Sequence, residues 1–183
     1  VININHSHII LDACCILNLC ASGQFLAILK SLPAEIVITT VVQENELKTL
    51  QKLQEEDNDA VLEFETAITQ GLLKIVDFES EEERESFVNY VFDLDDGEAA
   101  TLAIAVHRKW AVATDDNKAI KFIKKNFPDI KILSTPEIIK YWSEKESIDH
   151  LILNNVLNSI KTKGRYQPPK NDPWRNWWIN ACN

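Results

Sequence analysis

The sequence predicts an α/β fold with a mainly parallel central sheet, on three observations. Short apolar runs of strand length alternate with longer stretches of helical periodicity, the pattern of βαβ units. Two of those runs, Ile9-Ile10-Leu11-Asp12 and Ala111-Val112-Ala113-Thr114, lead directly into acidic residues. The stretch 97–108 reads as a helix apolar almost all round, which suggests burial against a sheet.

The elements follow in order. A strand over 8–12 is followed by helices near 13–21 and 24–31, and Ile36-Val37-Ile38 centres a strand over 36–39. Residues 41–55 read as a helix whose inward stripe holds Val42, Leu50 and Leu53, all within about 40° of Glu46 on a helical wheel. A helix over 58–70, a strand over 72–77 and helices over 80–92 and 97–108 come next. A strand over 111–114 leads into a helix over 117–126. That helix has an apolar face of Ala119, Phe122 and Ile123, and Lys118, Lys121 and Lys125 within about 60° of one another. The last strand covers 130–133. Helices follow over 136–145, where Pro136 and Glu137 mark an N-terminus, and over 148–161. Residues 164–173 hold three prolines and read as an extended linker. Beyond it, Trp174, Trp177 and Trp178 share one face of a short helical turn. The expected organisation is one domain over 1–163 and a Pro/Trp-rich tail over 164–183. The tail is expected to dock on its own domain or, by a modest lean, on a neighbouring subunit as a homo-oligomer contact.

Composition narrows the function. A chain of 183 residues with 45% hydrophobic and 26% charged residues has ordinary globular makeup. Four glycines leave no room for a Gly-rich phosphate loop. No leader and no apolar run long enough for a membrane span is visible, so a cytoplasmic protein without membrane attachment is expected. Cys14, Cys15, Cys20 and Cys182 are expected as reduced thiols. The net charge of −9 is concentrated: residues 77–98 hold ten acids against Arg84, leaving 18 acids and 18 bases elsewhere. The acidic balance therefore does not exclude a nucleic-acid substrate, although it argues against tight non-specific binding.

The acids carry the chemistry. Asp12, Asp115 and Asp116 each precede a helix and could serve as N-caps, and Glu98 suits the dipole of its helix start. Glu46 is harder to explain, because a carboxylate in the middle of an apolar stripe needs a partner. In open α/β sheets ligands bind beyond the carboxyl ends of strands, where these acids would gather. Like charges repel strongly in a partly desolvated site. A divalent cation resolves that repulsion, and an all-oxygen ligand set suits Mg²⁺ or Mn²⁺ better than Zn²⁺. No Gly-x-Ser-x-Gly elbow is present, so covalent catalysis has little support.

Taken together, four segments resemble the PIN-domain family of metal-dependent ribonucleases, especially its small prokaryotic, toxin-like branch. They are Ile10-Leu11-Asp12-Ala13-Cys14-Cys15-Ile16-Leu17-Asn18-Leu19, Thr40-Val41-Val42-Gln43-Glu44-Asn45-Glu46-Leu47, Asp96-Gly97-Glu98-Ala99-Ala100-Thr101-Leu102-Ala103 and Ala113-Thr114-Asp115-Asp116-Asn117-Lys118-Ala119. The resemblance implies an α/β/α sandwich with Asp12, Glu46, Glu98 and one of Asp115 or Asp116 around Mg²⁺ or Mn²⁺. The family's Thr-x-Asp pattern favours Asp116. Thr114 and Lys118 are then expected to contact substrate. The implied activity is hydrolysis of RNA phosphodiester bonds, with an antitoxin protein as an expected partner. Cys14 departs from the family's Ser or Thr at that place. It also counts against a haloacid-dehalogenase-type phosphatase, which needs a second Asp there. The remaining alternative is a catalytically silent PIN-like module that binds RNA or acts as a scaffold.

Overall fold

Apolar residues on successive positions of the central strands point alternately to two separate cores, and this places helices on both faces of the sheet. In the computed structural model, which describes residues 4, 6–45 and 58–182, the strands are β1 (His8–Leu11), β2 (Glu35–Thr39), β3 (Lys74–Val76), β4 (Ala111–Ala113) and β5 (Ile132–Leu133). They form one sheet in the order β3-β2-β1-β4-β5, every pair parallel. Ile9 pairs with both Ile36 and Ala111, and Ile10 with both Val37 and Val112. Ile9, Leu11, Ile36, Ile38, Ala111 and Ala113 face one core, whereas Ile10, Val37 and Val112 face the other. Burial on both faces explains why these strands read as continuous apolar runs.

The first core is covered by α1 (Ala13–Ala21), α2 (Phe25–Ser31), α4 (Asn58–Thr69), α8 (Thr135–Lys145) and α9 (His150–Thr162). The second is covered by α5 (Glu81–Tyr90), α6 (Asp96–Arg108) and α7 (Asn117–Asn126). A further helix, α3, is described over residues 40–45 and starts behind Thr39, whose hydroxyl accepts from Val42 N at 3.0 Å. The remainder of the helix expected over 41–55, Glu46 included, lies outside the described residues. The result is the three-layer α/β/α sandwich with a parallel sheet. Among the described residues no single helix is long and apolar enough to cross a membrane; the apolar α1 and α2 meet at 116° and pack into the first core.

Boundaries move where caps or turns decide them. Ser80 and Asp149 cap α5 and α9, so these helices start one or two residues later than expected. β3 is shorter than 72–77 because the amides of Leu72 and Leu73 both donate to Ala67 O, closing the end of α4 rather than joining the sheet.

The tail packs against its own domain. Trp178 is 1% exposed within the first core and meets Tyr166 edge-on at 6.0 Å. Trp174 and Trp177 are half-buried beneath the Lys140 ammonium, at 5.7 and 5.2 Å from its Nζ. Gly164 permits the approach, since a Cβ there would lie 2.7 Å from Ile160 O and 3.0 Å from Asn18 Oδ1. Trp178 thus has its docking site in the same chain. The short helix α10 (Arg175–Ala181) carries it there.

Part of the acidic surplus is anchored at the far end of α6. Arg108 Nε lies 2.7 Å from Glu83 Oε1, and its other nitrogens reach Glu79 Oε1 and Asp77 O. The Arg108 guanidinium holds the Glu83 carboxyl below the usual carboxylate range. Arg108→Ala should leave the buried Glu83 unpaired and lower stability by about 3 kcal/mol. Urea unfolding of the variant checks this, and Glu83→Gln in the Ala background should recover part of the loss.

Candidate metal centre

The chain leaves β1 toward β2 and β3 on one side, then returns to β4 and β5 on the other, which makes the gap between β1 and β4 the topological switch point. Open parallel sheets bind ligands in that crevice, at the carboxyl ends of the strands. Asp12 follows β1 and Thr114-Asp115-Asp116 follow β4; the two ends are tied by Asp12 N donating to Ala113 O at 2.9 Å.

Asp12 is buried and doubly used. Its Oδ1 caps α1 through Ala13 N at 2.8 Å, while Oδ2 accepts from Thr114 Oγ1 at 2.8 Å and from Cys14 Sγ at 3.2 Å. The Cys14 thiol thus makes a contact to Asp12 that a hydroxyl could make, and it also accepts from Asp115 N at 3.2 Å. Asp116 caps α7, with both Lys118 N and Ala119 N on Oδ1, so Oδ2 lies outside the cap. Glu98 closes a capping box at the start of α6, its N–H bound to Asp95 Oδ1 at 2.8 Å and its Oε2 accepting from Asp95 N at 3.2 Å. The cap roles weighed for these acids are real, and Asp12 and Glu98 also line one cavity of the crevice.

Asp12 and Glu98 both feel burial and the charges of neighbouring carboxylates. Burial pushes the Asp12 carboxyl up, and the charge of Asp95 adds to this. Glu98 is pushed up to about 7, first by burial and then by the charges of Asp95, Asp116 and Asp12. Asp12, Glu98 and Thr114 line one small cavity, and Asp95, Asp96, Gly97, Ala13, Val42 and Asn45 line an adjoining cleft of about 420 Å³. A Cβ on Gly97 would sit 3.4 Å from Val42 Cγ2, so α3 runs closely past the start of α6. Among the described residues, the Lys and Arg ion pairs lie elsewhere in the molecule and none neutralises this cluster. Crowded oxygen donors fit a hard divalent cation.

The other sequence-derived candidates fall differently. Asp115 faces the first core and is saturated: Oδ1 accepts from Thr135 N at 2.9 Å and Tyr166 Oη at 3.0 Å, and Oδ2 accepts from Asn18 Nδ2 at 2.9 Å and from the Thr135 hydroxyl. It joins β4, α1, α8 and the tail. Cys14, Cys15 and Asp115 bring their ligand atoms within 4.8 Å of one another. Burial, and with it the Asp115 charge, holds the Cys15 thiol well above its ordinary range, and both Asp115 oxygens are already taken up by hydrogen bonds. Thr114, expected at the substrate, is instead buried, donating to Asp12 and accepting from Asp116 N at 3.2 Å. Lys118 is exposed at the rim. Asn18, Thr135 and Tyr166 carried no sequence signal for this role, whereas the Asp95-x-x-Glu98 spacing was a capping-box signature open to reading.

The shift of Glu98 has a definite pH consequence. A carboxyl raised from 4.5 to about 7 on folding favours the fold while protonated, and that contribution is lost as pH rises through 7. Without metal, the Tm difference between Glu98→Gln and wild type should therefore grow in favour of the variant between pH 5 and 8. Calorimetry at matched ionic strength measures it.

A family model described as a PIN domain matches residues 8–171 of the chain. No curated protein matches it.

Proposed function

The chain belongs to the PIN-domain family, and on that premise we propose that it is a metal-dependent ribonuclease hydrolysing RNA phosphodiester bonds. The observation that carries this reading is that Asp12 and Glu98 line one cavity at the carboxyl end of the sheet's switch point, with Asp116 capping the helix that leaves the neighbouring strand. Asp12, Glu98 and Asp116 would hold Mg²⁺ or Mn²⁺ together with Glu46, whose position lies outside the described residues. When bound, the ion supplies Lewis acidity, activating water for attack on phosphorus and offsetting charge on the phosphate.

The protein's own groups supply orientation. Thr114 and Cys14 hold Oδ2 of Asp12, and Ala13 N holds Oδ1, so this carboxylate has little freedom to rotate. Asp115, through its bonds to Asn18, Thr135 and Tyr166, fixes the backbone from which Asp116 projects. Glu98, pushed up to about 7, is partly protonated near neutral pH, and that proton would be released if a cation were bound there. Lys118, exposed in the first turn of the helix that Asp116 caps, would meet a phosphate of the substrate strand.

The test is cleavage of 5′-labelled RNA by purified protein with Mg²⁺ or Mn²⁺, with chelator and with Asp116→Asn. Cleavage that needs the metal and disappears in the variant supports the reading. Metal-independent cleavage, or an unaffected variant, contradicts it. RNA that binds without being cleaved marks the silent-module alternative. The same reading extends to a cytoplasmic toxin restrained by an antitoxin. Induced expression should then arrest growth, and the Asp116→Asn protein should not.

A further inference from the structure

One polar group beside the site has nothing to bond to. Thr101 lies one turn after Glu98 on α6, is 1% exposed, and its Oγ1 has no hydrogen-bond partner among the described residues. A helical Thr commonly satisfies its hydroxyl by donating to the carbonyl four residues back, and here it does not. A buried hydroxyl with no partner is costly, so each such group in a native fold calls for a reason.

The surroundings supply one. Thr101 lines the same small cavity as Asp12, Glu98 and Thr114, together with apolar residues such as Leu102 and Val112. The cavity holds about 10 Å³, close to the roughly 10–15 Å³ that one water needs and too little for a nucleotide. Its polar wall is suited to one water: Asp12 and Glu98 offer acceptors, and the Thr101 hydroxyl can donate or accept. Thr114 is already committed to Asp12, and the apolar remainder gives the Thr101 hydroxyl no other partner.

We propose that Thr101 is a positioning residue of this centre, its hydroxyl holding a single buried water against the carboxylates of Asp12 and Glu98. The water bridges α6 to the end of β1 and sets the distance between two of the acids. The role deepens the proposed function, because that spacing governs cation binding, yet the water itself does not depend on nuclease activity.

Two variants separate the outcomes. Thr101→Val keeps the shape and removes the hydroxyl, whereas Thr101→Ser keeps the hydroxyl. A crystal structure of the metal-free wild type should show one ordered water bonded to Thr101 Oγ1 and to Asp12 or Glu98, retained in the Ser variant and lost in Val. Thr101→Val should lower the metal-free Tm by about 2–4 °C. It should also raise the Mn²⁺ concentration for half-saturation, read by electron paramagnetic resonance, by about tenfold, with Ser within about twofold of wild type. A dry pocket contradicts the proposal, because removing an unpartnered hydroxyl would then leave Tm unchanged or higher. An unchanged Tm or an unchanged Mn²⁺ affinity in Thr101→Val overturns it equally. Should wild-type protein bind no Mn²⁺ at all, the proposed function fails, and the metal-free structure and Tm alone decide the role of Thr101.

Discussion

Asp12→Asn is expected to lower RNA cleavage by at least about 100-fold while leaving the metal-free protein as stable as wild type or more so. The two halves of that result come from the same geometry. Asparagine keeps an oxygen for Ala13 N and so retains the cap on α1, and its amide can donate to Thr114 Oγ1 in place of the bond that Oδ2 now accepts. It removes a buried charge whose ionised form is disfavoured by desolvation and by Asp95. The wild-type carboxyl, raised on folding, favours the fold at low pH and loses that advantage as pH rises through its folded value, so the comparison is sharpest at pH 8. Saturating Mn²⁺ should raise the wild-type Tm by roughly 5–10 °C through linkage, and the variant by little or nothing. Differential scanning calorimetry with and without Mn²⁺ measures both halves. Equal metal-induced shifts in the two proteins would show that Asp12 is not part of the cation site.

Removal of the tail after Lys163 should destabilise the fold itself. Trp178 is almost fully buried in the first core, and replacing such a side chain by alanine costs about 3–5 kcal/mol. Trp178→Ala should therefore lower Tm by roughly 10 °C. Trp178→Phe should cost less, because the buried indole Nε1 has no hydrogen-bond partner among the described residues and its loss offsets part of the lost contact. Truncation adds the loss of Tyr166, which withdraws a hydrogen bond from Asp115 beside Asp116. Mn²⁺ affinity should fall along with stability. Thermal melts and sedimentation of the truncated chain are the measurements. A truncated protein that keeps its Tm and loses only self-association would return the tail to an intersubunit role, carried by the half-buried Trp174 and Trp177.

The layers were legible in the sequence because each central strand is apolar at successive positions, a pattern that burial on both faces demands and that neither a surface strand nor a short surface helix would show. The crevice was legible for a related reason. Two separate apolar runs end in acids, and parallel strands bring such ends to the same edge. What could not be read was the division of labour between Asp115 and Asp116. The difference lies in which face of the sheet each side chain takes, and that is decided by Asn18, Thr135 and Tyr166, residues 97, 20 and 51 positions away from Asp115. The docking of Trp178 was hidden in the same way, since a proline-containing linker has reach in many directions and only the groove beside α9 selects one. Thr101 was silent because a threonine on an apolar helix face looks like core until its hydroxyl is found without a partner.

The central claim is that Asp12, Glu98 and Asp116 share one divalent cation at the switch point of the sheet. A crystal soaked in Mn²⁺ and measured for anomalous scattering tests it directly. The predicted result is a peak about 2.0–2.3 Å from carboxylate oxygens of Asp12 and Asp116, with Glu98 within reach directly or through one water. A peak beside Cys14, Cys15 and Asp115, or no peak at saturating Mn²⁺, would contradict the claim.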